Sequence, residues 1–299
     1  MRTVALLCLI LIGPTGCISA SPGEESAPNK LRILLTNDDG YRSPGIREVR
    51  AALEGAGHDV TLVAPLDNRS GSGSSSTTGG TLELREQGPR TWSVGGTPAD
   101  AVRVGLGVVL EDRPPDLVVS GANFGQNIGP ATLLSGTVGA ALTAMQLGYP
   151  AIAISVGIDP SELGAEPRFA STLSAFGDAA AFVARTIAML QDASGASGAL
   201  LPDHSVLNIN YPARRADAVT GVVWANIGRS ASFEVGFERS DSDTVRLAFG
   251  SSEVQETVEG ADTTLFDAGY VTLTLLDGDL RAPVGLSDDV GRRLGDIAP

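Results

Sequence analysis

Apolar residues along this chain follow two periods. Short aliphatic runs, too brief for helices, alternate with segments in which apolar residues recur every three or four positions. Arg32 to Thr36 is the first such run, and it leads into Asn37-Asp38-Asp39-Gly40. Ser43 then offers a helix N-cap, with Pro44 where a first helical turn tolerates proline. Ile46, Val49 and Leu53 recur at helical spacing until Gly55 and Gly57 stop the helix. Val60 to Val63, closed by Pro65, is a second strand. A strand–helix–strand unit with near-continuous apolar strands is the opening of a parallel sheet covered on both faces.

The same reading predicts a hairpin over Leu82–Val94, a helix over Ala99–Leu110 and a strand over Leu117–Ser120. A helix starting at Ser135 runs to about Leu147, where Gly148 and Pro150 end it. Ala151–Val156 is a strand, Phe169–Leu190 a long apolar helix, and Ser205–Asn210 a further strand. Ser70–Gly80, rich in Ser, Gly and Thr, reads as a flexible loop. Beyond Asn210 the pattern turns to strands at Val222–Ala225, Val245–Phe249 and Val271–Leu275. The expected class is α/β: a Rossmann-like, mostly parallel sheet flanked by helices, with a β-rich C-terminal extension. One domain is expected over residues 31–285, with a core at 31–211, a β-arm region at 212–285 and a tail at 286–299.

The N-terminus changes the expected compartment. Arg2 and the apolar run Val4–Ile12 have the form of an export leader over residues 1–20, too short to span a bilayer as a mature helix. Gly16-Cys17 reads as a lipoprotein cleavage site with Cys17 taking the lipid, although Pro14 departs from the usual aliphatic. Cleavage after Ala20, giving a soluble secreted form, is the alternative. Residues 21–30 then form a polar tether. Membrane contact is expected only through that N-terminal lipid, and the location is the bacterial cell envelope. Cys8 and Cys17 are the only cysteines, so the mature fold is expected to rest on core packing without a disulfide.

With 42% hydrophobic residues the 299-residue chain can build a sizeable core. Its net charge of −14 repels a nucleic-acid backbone, which excludes DNA or RNA polymers as expected partners. A small phosphate ester still binds if a cation bridges it to the protein. Three predicted strands lead into oxygen-bearing residues: the first into Asp38 and Asp39, the second toward Ser70, the third toward Asn123. Ligands in open parallel sheets bind beyond the carboxyl ends of the strands. Two carboxylates, a hydroxyl and an amide would suit one hard divalent ion, Mg²⁺ or Mn²⁺, and not zinc. Ser135-Gly136-Thr137 at a helix start is a candidate phosphate cradle. Lys30 is the only lysine, so no phosphate-binding Gly-x-x-x-x-Gly-Lys loop exists, and no Gly-x-Ser-x-Gly elbow occurs. His58 and His204, the only histidines, stand outside these stretches.

The chain resembles the SurE family of nucleotidases. The resemblance is carried by Ile33–Gly40 with Pro44-Gly45-Ile46, Val63-Ala64-Pro65 with Asn68-Arg69-Ser70-Gly71, and Gly96-Thr97-Pro98-Ala99-Asp100. It continues through Pro115–Gly121 with Asn123, Asn127-Ile128-Gly129, Ser135-Gly136-Thr137-Val138, Leu207–Asn210 with Pro212, and Gly269-Tyr270-Val271. The resemblance implies a divalent metal held by Asp38, Asp39, Ser70 and Asn123, with Asp38 and Asp39 as the catalytic pair. It implies phosphate contacts from Asn37, Asn127, Ser135, Gly136 and Thr137, and hydrolysis of nucleoside 5′- and 3′-monophosphates. It also implies a homodimer or homotetramer built through the C-terminal arm. A broad-specificity acid phosphatase and a non-catalytic ligand-binding lipoprotein of the same fold are the alternatives. The stretch Ala213–Ala261 matches the family poorly.

Overall fold

The computed structural model describes residues 30–162, 166–195, 198–231, 234–250, 254–280 and 284–295. The leader, Cys17 and the tether up to residue 29 lie outside the described residues.

Among the described residues, eleven strands and seven α-helices follow one another. β1 (Arg32–Thr36), α1 (Pro44–Gly55) and β2 (Asp59–Pro65) form the opening unit, followed by β3 (Leu84–Gly88), β4 (Thr91–Val94) and α2 (Pro98–Val104). β5 (Leu117–Phe124), the short α3 (Ala131–Leu134), α4 (Gly136–Gln146), β6 (Ala151–Val156), α5 (Ala170–Ser194) and β7 (Val206–Tyr211) complete the central part. β8 (Gly221–Trp224), β9 (Glu234–Arg239), β10 (Val245–Gly250), α6 (Asp262–Asp267), β11 (Tyr270–Leu276) and α7 (Val284–Leu294) follow. Nine strands form one sheet in the order β3-β4-β2-β1-β5-β6-β7-β11-β8, and β9 and β10 pair apart as an antiparallel hairpin. The six strands from β4 to β7 in that order run parallel, while β3 and β11 are antiparallel to their inner neighbours. The expected fold class is the one observed.

Why the strands read as unbroken apolar runs is visible in the packing. Ile33 and Leu35 of β1 enter a core shared with α1 and α5, while Leu34 between them enters a second core shared with α2 and α4. On α1, Ile46, Val49 and Leu53 are fully buried, each contributing about 2 kcal/mol. The long apolar α5 has the length and composition of a membrane span, yet Ala175, Phe176, Ala179, Val183 and Ile187 form a buried stripe in the first core.

Several local expectations change. The helix expected over Ala99–Leu110 stops at Val104 and continues as a π-helical turn over Gly105–Val109. The third strand runs on from Ser120 to Phe124, with a register shift against β6 between Ser120 and Asn123. Ser43 occupies the α1 cap position without capping; its hydroxyl accepts from Asn37 Nδ2 at 2.8 Å instead. The Ser/Gly/Thr stretch is tied down rather than loose. Gly73 N–H donates to Leu134 O at 3.0 Å, Thr77 N–H donates to Asp100 at 2.8 Å, and Thr97 Oγ1 donates to Ser75 O at 2.6 Å. Asp100 does this while also closing the capping box of α2 with Thr97. The C-terminal part is not all arm: β8 and β11 join the main sheet, and strand β9 and helices α6 and α7 were not legible as such.

Candidate active site

The sheet order creates a crevice. From β1 the chain crosses through α1 to β2 on one side, and from β5 through α4 to β6 on the other, with α1 and α4 on opposite faces. The adjacent carboxyl ends of β1 and β5 are therefore the switch point at which such sheets bind ligands. Asp38 and Asp39 follow β1, and Asn123 and Phe124 end β5.

Glycines let the pieces approach. Gly40 takes φ +97° beside the Asp67–Asn68 backbone, which closes the Asp38-Asp39 turn against the loop after β2. A Cβ at Gly136 would stand 2.8 Å from Asp38 Cβ and 2.7 Å from Ser72 Oγ, so only glycine lets the start of α4 reach Asp38.

Asp38 is 2% exposed. Thr137 Oγ1 donates to its Oδ1 at 2.6 Å. Burial raises the Asp38 carboxyl above the usual range, and the Thr137 hydroxyl and the N–H groups of Thr137 and Gly136 only partly oppose that. Asp39 accepts Phe124 N–H on Oδ2 at 2.8 Å and Asn68 Nδ2 on Oδ1 at 3.2 Å. Its carboxyl is pushed up to about 6, first by burial and then by the charge of Asp38. Neither acid has an arginine, lysine or histidine partner among the described residues. Asn37 Oδ1 and Ser72 Oγ nearby are buried without a hydrogen-bond partner among the described residues.

This is the arrangement a cation would relieve. A buried and a half-buried carboxylate repel each other with no counter-charge among the described residues, and neutral oxygens surround them. No group of three or more His, Cys, Asp or Glu gathers among the described residues, so any metal here needs hydroxyl, amide or water oxygens to fill its shell. That donor set fits a hard divalent ion.

The structure brings some of the sequence candidates together and holds others apart. Ser70 and Asp39 line one open cavity of about 560 Å³, and Asn68 links them by bonding Asp39 and accepting Ser70 N–H at 2.9 Å. Asn123 sits one residue before the N–H that holds Asp39, and its own Nδ2 donates to Gly125 O at 2.7 Å. Asn37 turns its Nδ2 inward to Gly40 O and Ser43. Ser135 Oγ caps α4 by accepting Val138 N–H at 3.0 Å. The N–H groups of Gly136 and Thr137 face Asp38. Asn127 donates to Ser155 Oγ at 2.8 Å and bonds neither acid.

Residues the sequence reading passed over hold the Asn127 loop. Asn208 and Asn210 on β7 donate to Asn127 O at 3.1 and 3.2 Å, and Asn210 Oδ1 accepts Asn127 N–H at 2.7 Å. Asp262, fully buried, accepts Gly129 N–H at 3.1 Å and Gly228 N–H at 2.8 Å. The only signal for this was the pair of asparagines placed inward on an otherwise aliphatic strand; Asp262 carried none.

The family described as "Survival protein SurE" matches residues 33–234. The chain belongs to the SurE family. A "5'-nucleotidase SurE" of Nitratidesulfovibrio vulgaris strain DP4 is 36% identical over 255 residues, covering 83% of this chain and 94% of that protein. A protein of the same name from Rhizorhabdus wittichii is 38% identical over 192 residues, covering 64% and 70%. The crystal structure of the SurE protein from Aquifex aeolicus superposes with a TM-score of 0.68 at 29% identity, covering 88% of this chain and all of that one. The family match ends at residue 234, whereas the likeness to the solved SurE structure takes in most of the chain.

Proposed function

We propose that this SurE-family protein is a phosphomonoesterase of the cell envelope that hydrolyses nucleoside monophosphates with one bound Mg²⁺ or Mn²⁺. The carrying observation is the Asp38–Asp39 pair: adjacent, withdrawn from water, raised by burial and without a cationic partner among the described residues, at the switch point of the sheet. The names of its relatives supply the substrate class.

Asp38, Asp39, Ser70 and Asn123 would hold the cation. Once bound, it would supply the positive charge that stabilises developing negative charge on the phosphoryl oxygens. Asp38 is the enclosed acid, clamped by Thr137, and its role is electrostatic. Asp39 lines the open cavity, which supports giving it, of the two acids, the role of taking a proton from the attacking water. Phe124 N–H and Asn68 keep its oxygens oriented. Asn37, Asn127 and the Ser135–Thr137 turn are the phosphate side of the site in this reading. Because Gly136 and Thr137 N–H groups face Asp38, binding phosphate there requires it to share that edge with the carboxylate.

Hydrolysis of AMP and of p-nitrophenyl phosphate, with Mg²⁺ or Mn²⁺ and after chelation, tests the reading. Turnover that needs the ion and favours AMP in kcat/KM is expected. A metal-loaded protein inert on both esters would overturn the enzyme, and equal kcat/KM on both would replace the nucleotidase with a broad phosphatase.

Anchoring through Cys17 belongs to the same proposal. Cys17→Ala is expected to move the protein out of the membrane fraction; an unlipidated native N-terminus would establish the secreted form instead. Self-association is supported by the β9–β10 hairpin, where the cross-strand pair Phe237 and Leu247 stands 70% and 58% exposed on a two-stranded sheet that is marginal alone. A homodimer or homotetramer would cover it, and sedimentation velocity would read the state.

A further inference from the structure

A second hollow, of about 300 Å³, opens at the amino ends of β1 and β2, whereas Asp38 and Asp39 follow the carboxyl end of β1. Arg32 on β1, Asp59 on β2 and Trp92 on β4 line it from the sheet, and Val108 and Arg113 line it from the segment after α2. The five-residue strand β1, roughly 15 Å long, lies between this hollow and the acids. Its volume is at the lower end of small-molecule sites.

A change of helix type shapes one wall. Gly105 lets the end of α2 press onto β1, since a Cβ there would stand 2.9 Å from Leu34 Cδ1 and Cδ2. From Gly105 the backbone widens into the π-helical turn, in which Leu110 N–H donates to Gly105 O at 2.9 Å. Single π turns gather at functional sites. Here the turn leaves Val108 61% exposed on the lining. The charges in the hollow are unevenly matched. Asp59 takes two guanidinium groups, from Arg90 and Arg113. Arg113 has the looser hold, with Nη2 3.4 Å from Asp59 Oδ2 and its side chain 66% exposed. Arg32 is occupied by Asp116, through Nη2 at 2.8 Å and Nε at 3.3 Å. Arg113 can therefore turn to a new anion while Arg90 keeps Asp59 paired. The half-buried Trp92 and the exposed Val108 supply apolar surface in the same hollow. A guanidinium and an indole in one concave site match an anion carried on a flat ring. Asp112, exposed on the lining, works against the anion.

We propose that this hollow is a second binding site, for a small anion carrying a flat ring. The proposal does not depend on the phosphomonoesterase reading, and its test needs no turnover. Trp92 and Trp224 are the only tryptophans, and Trp224 is 65% exposed on β8, so Trp224→Phe leaves Trp92 as the reporter. In that background, without metal, phenylphosphonate and benzoate are expected to change Trp92 fluorescence saturably, and the tighter of the two names the acid group. Methylphosphonate, which lacks the ring, and benzyl alcohol, which lacks the charge, should bind at least about tenfold more weakly. Arg113→Gln should weaken the tighter probe by about tenfold, the scale of one hydrogen bond between charged groups. Val108→Glu, a like charge at an exposed position, should weaken it as well, and Asp112→Asn should tighten it by about twofold. Asp39→Asn should leave the affinity unchanged. No saturable response to either probe, or an affinity unmoved by both Arg113→Gln and Val108→Glu, would overturn the site. A response abolished by Asp39→Asn would also overturn it, by assigning the signal to the acids after β1. Equal binding of methylphosphonate or benzyl alcohol would overturn the ligand class.

Discussion

Two pairs of acids in this molecule differ in how far hydrogen-bond donors satisfy them. Glu256 and Asp262, in the segment before β11, are wrapped in donors. Glu256 accepts from the backbone of Arg229, Ser230, Thr257 and Val258 and from the hydroxyls of Ser230 and Thr263. Asp262 accepts from the backbone of Gly129, Gly228 and Thr263. Desolvation works to raise Glu256, but those hydrogen bonds together hold it far below the usual carboxylate range, whereas at Asp262 burial outweighs the hydrogen bonds and raises the carboxyl. Asp38 and Asp39 have fewer donors, repel each other and are both raised. Acids satisfied from within serve as struts, here tying the Asn127 loop to the C-terminal region. Acids left short of partners are poised for something from outside.

The sharpest way to break this comparison is to remove one charge from the site. Asp38→Asn or Asp39→Asn is expected to lower kcat by at least about 10²-fold. The metal-free variant should unfold at or above the wild-type temperature, because a buried, unpaired charge has gone. Near-normal turnover at saturating and limiting metal would sink the assignment of both acids.

The opposite outcome is expected at the strut. Asp262→Ala strands three N–H groups in the interior and should cost about 2 kcal/mol in urea unfolding. Loss of the Gly129 anchor should raise KM for AMP more than it lowers kcat, since it loosens the loop carrying Asn127. Unchanged stability would show that the strut is not one.

Smaller effects sharpen the contrast through pH. A carboxylate held low contributes stability that is present above its unfolded value of about 4 and is lost as pH falls below it. Glu256→Gln should therefore destabilise by about 1 kcal/mol at neutral pH and flatten the acid limb of the stability curve. Asp39 runs the other way. With a folded value of about 6, its contribution in the metal-free protein is present below about pH 4 and lost as pH rises through 6. Added Mn²⁺ should thus raise the melting temperature by more at pH 7.5 than at pH 5. A shift of equal size at both would disconnect the ion from these acids.

The contrast also explains what could be read in advance. Asp38 and Asp39 were legible because polar residues directly after an aliphatic strand stand out locally, and their strand was visible from its period alone. Thr137 as the clamp on Asp38 was not, since 99 residues separate them and a threonine at a helix start looks like any other. Asp262 lies 133 residues from Gly129, in a segment whose pattern gave no hint of a buried acceptor. The Ser70–Gly80 stretch misled for a related reason: composition reports what a segment lacks inside itself, whereas its order comes from Leu134 and Asp100 elsewhere.

By itself, then, the sequence determined the elements and their order, because hydrophobic period and turn chemistry act over a few residues. It also placed the acids at a strand end and carried the family likeness. Tertiary structure decided which distant donors meet which acids, and that β8 and β11 extend the main sheet while β9 and β10 stand apart. Those outcomes depend on burial and hydrogen-bond satisfaction, which are properties of neighbours in space that a linear pattern does not contain.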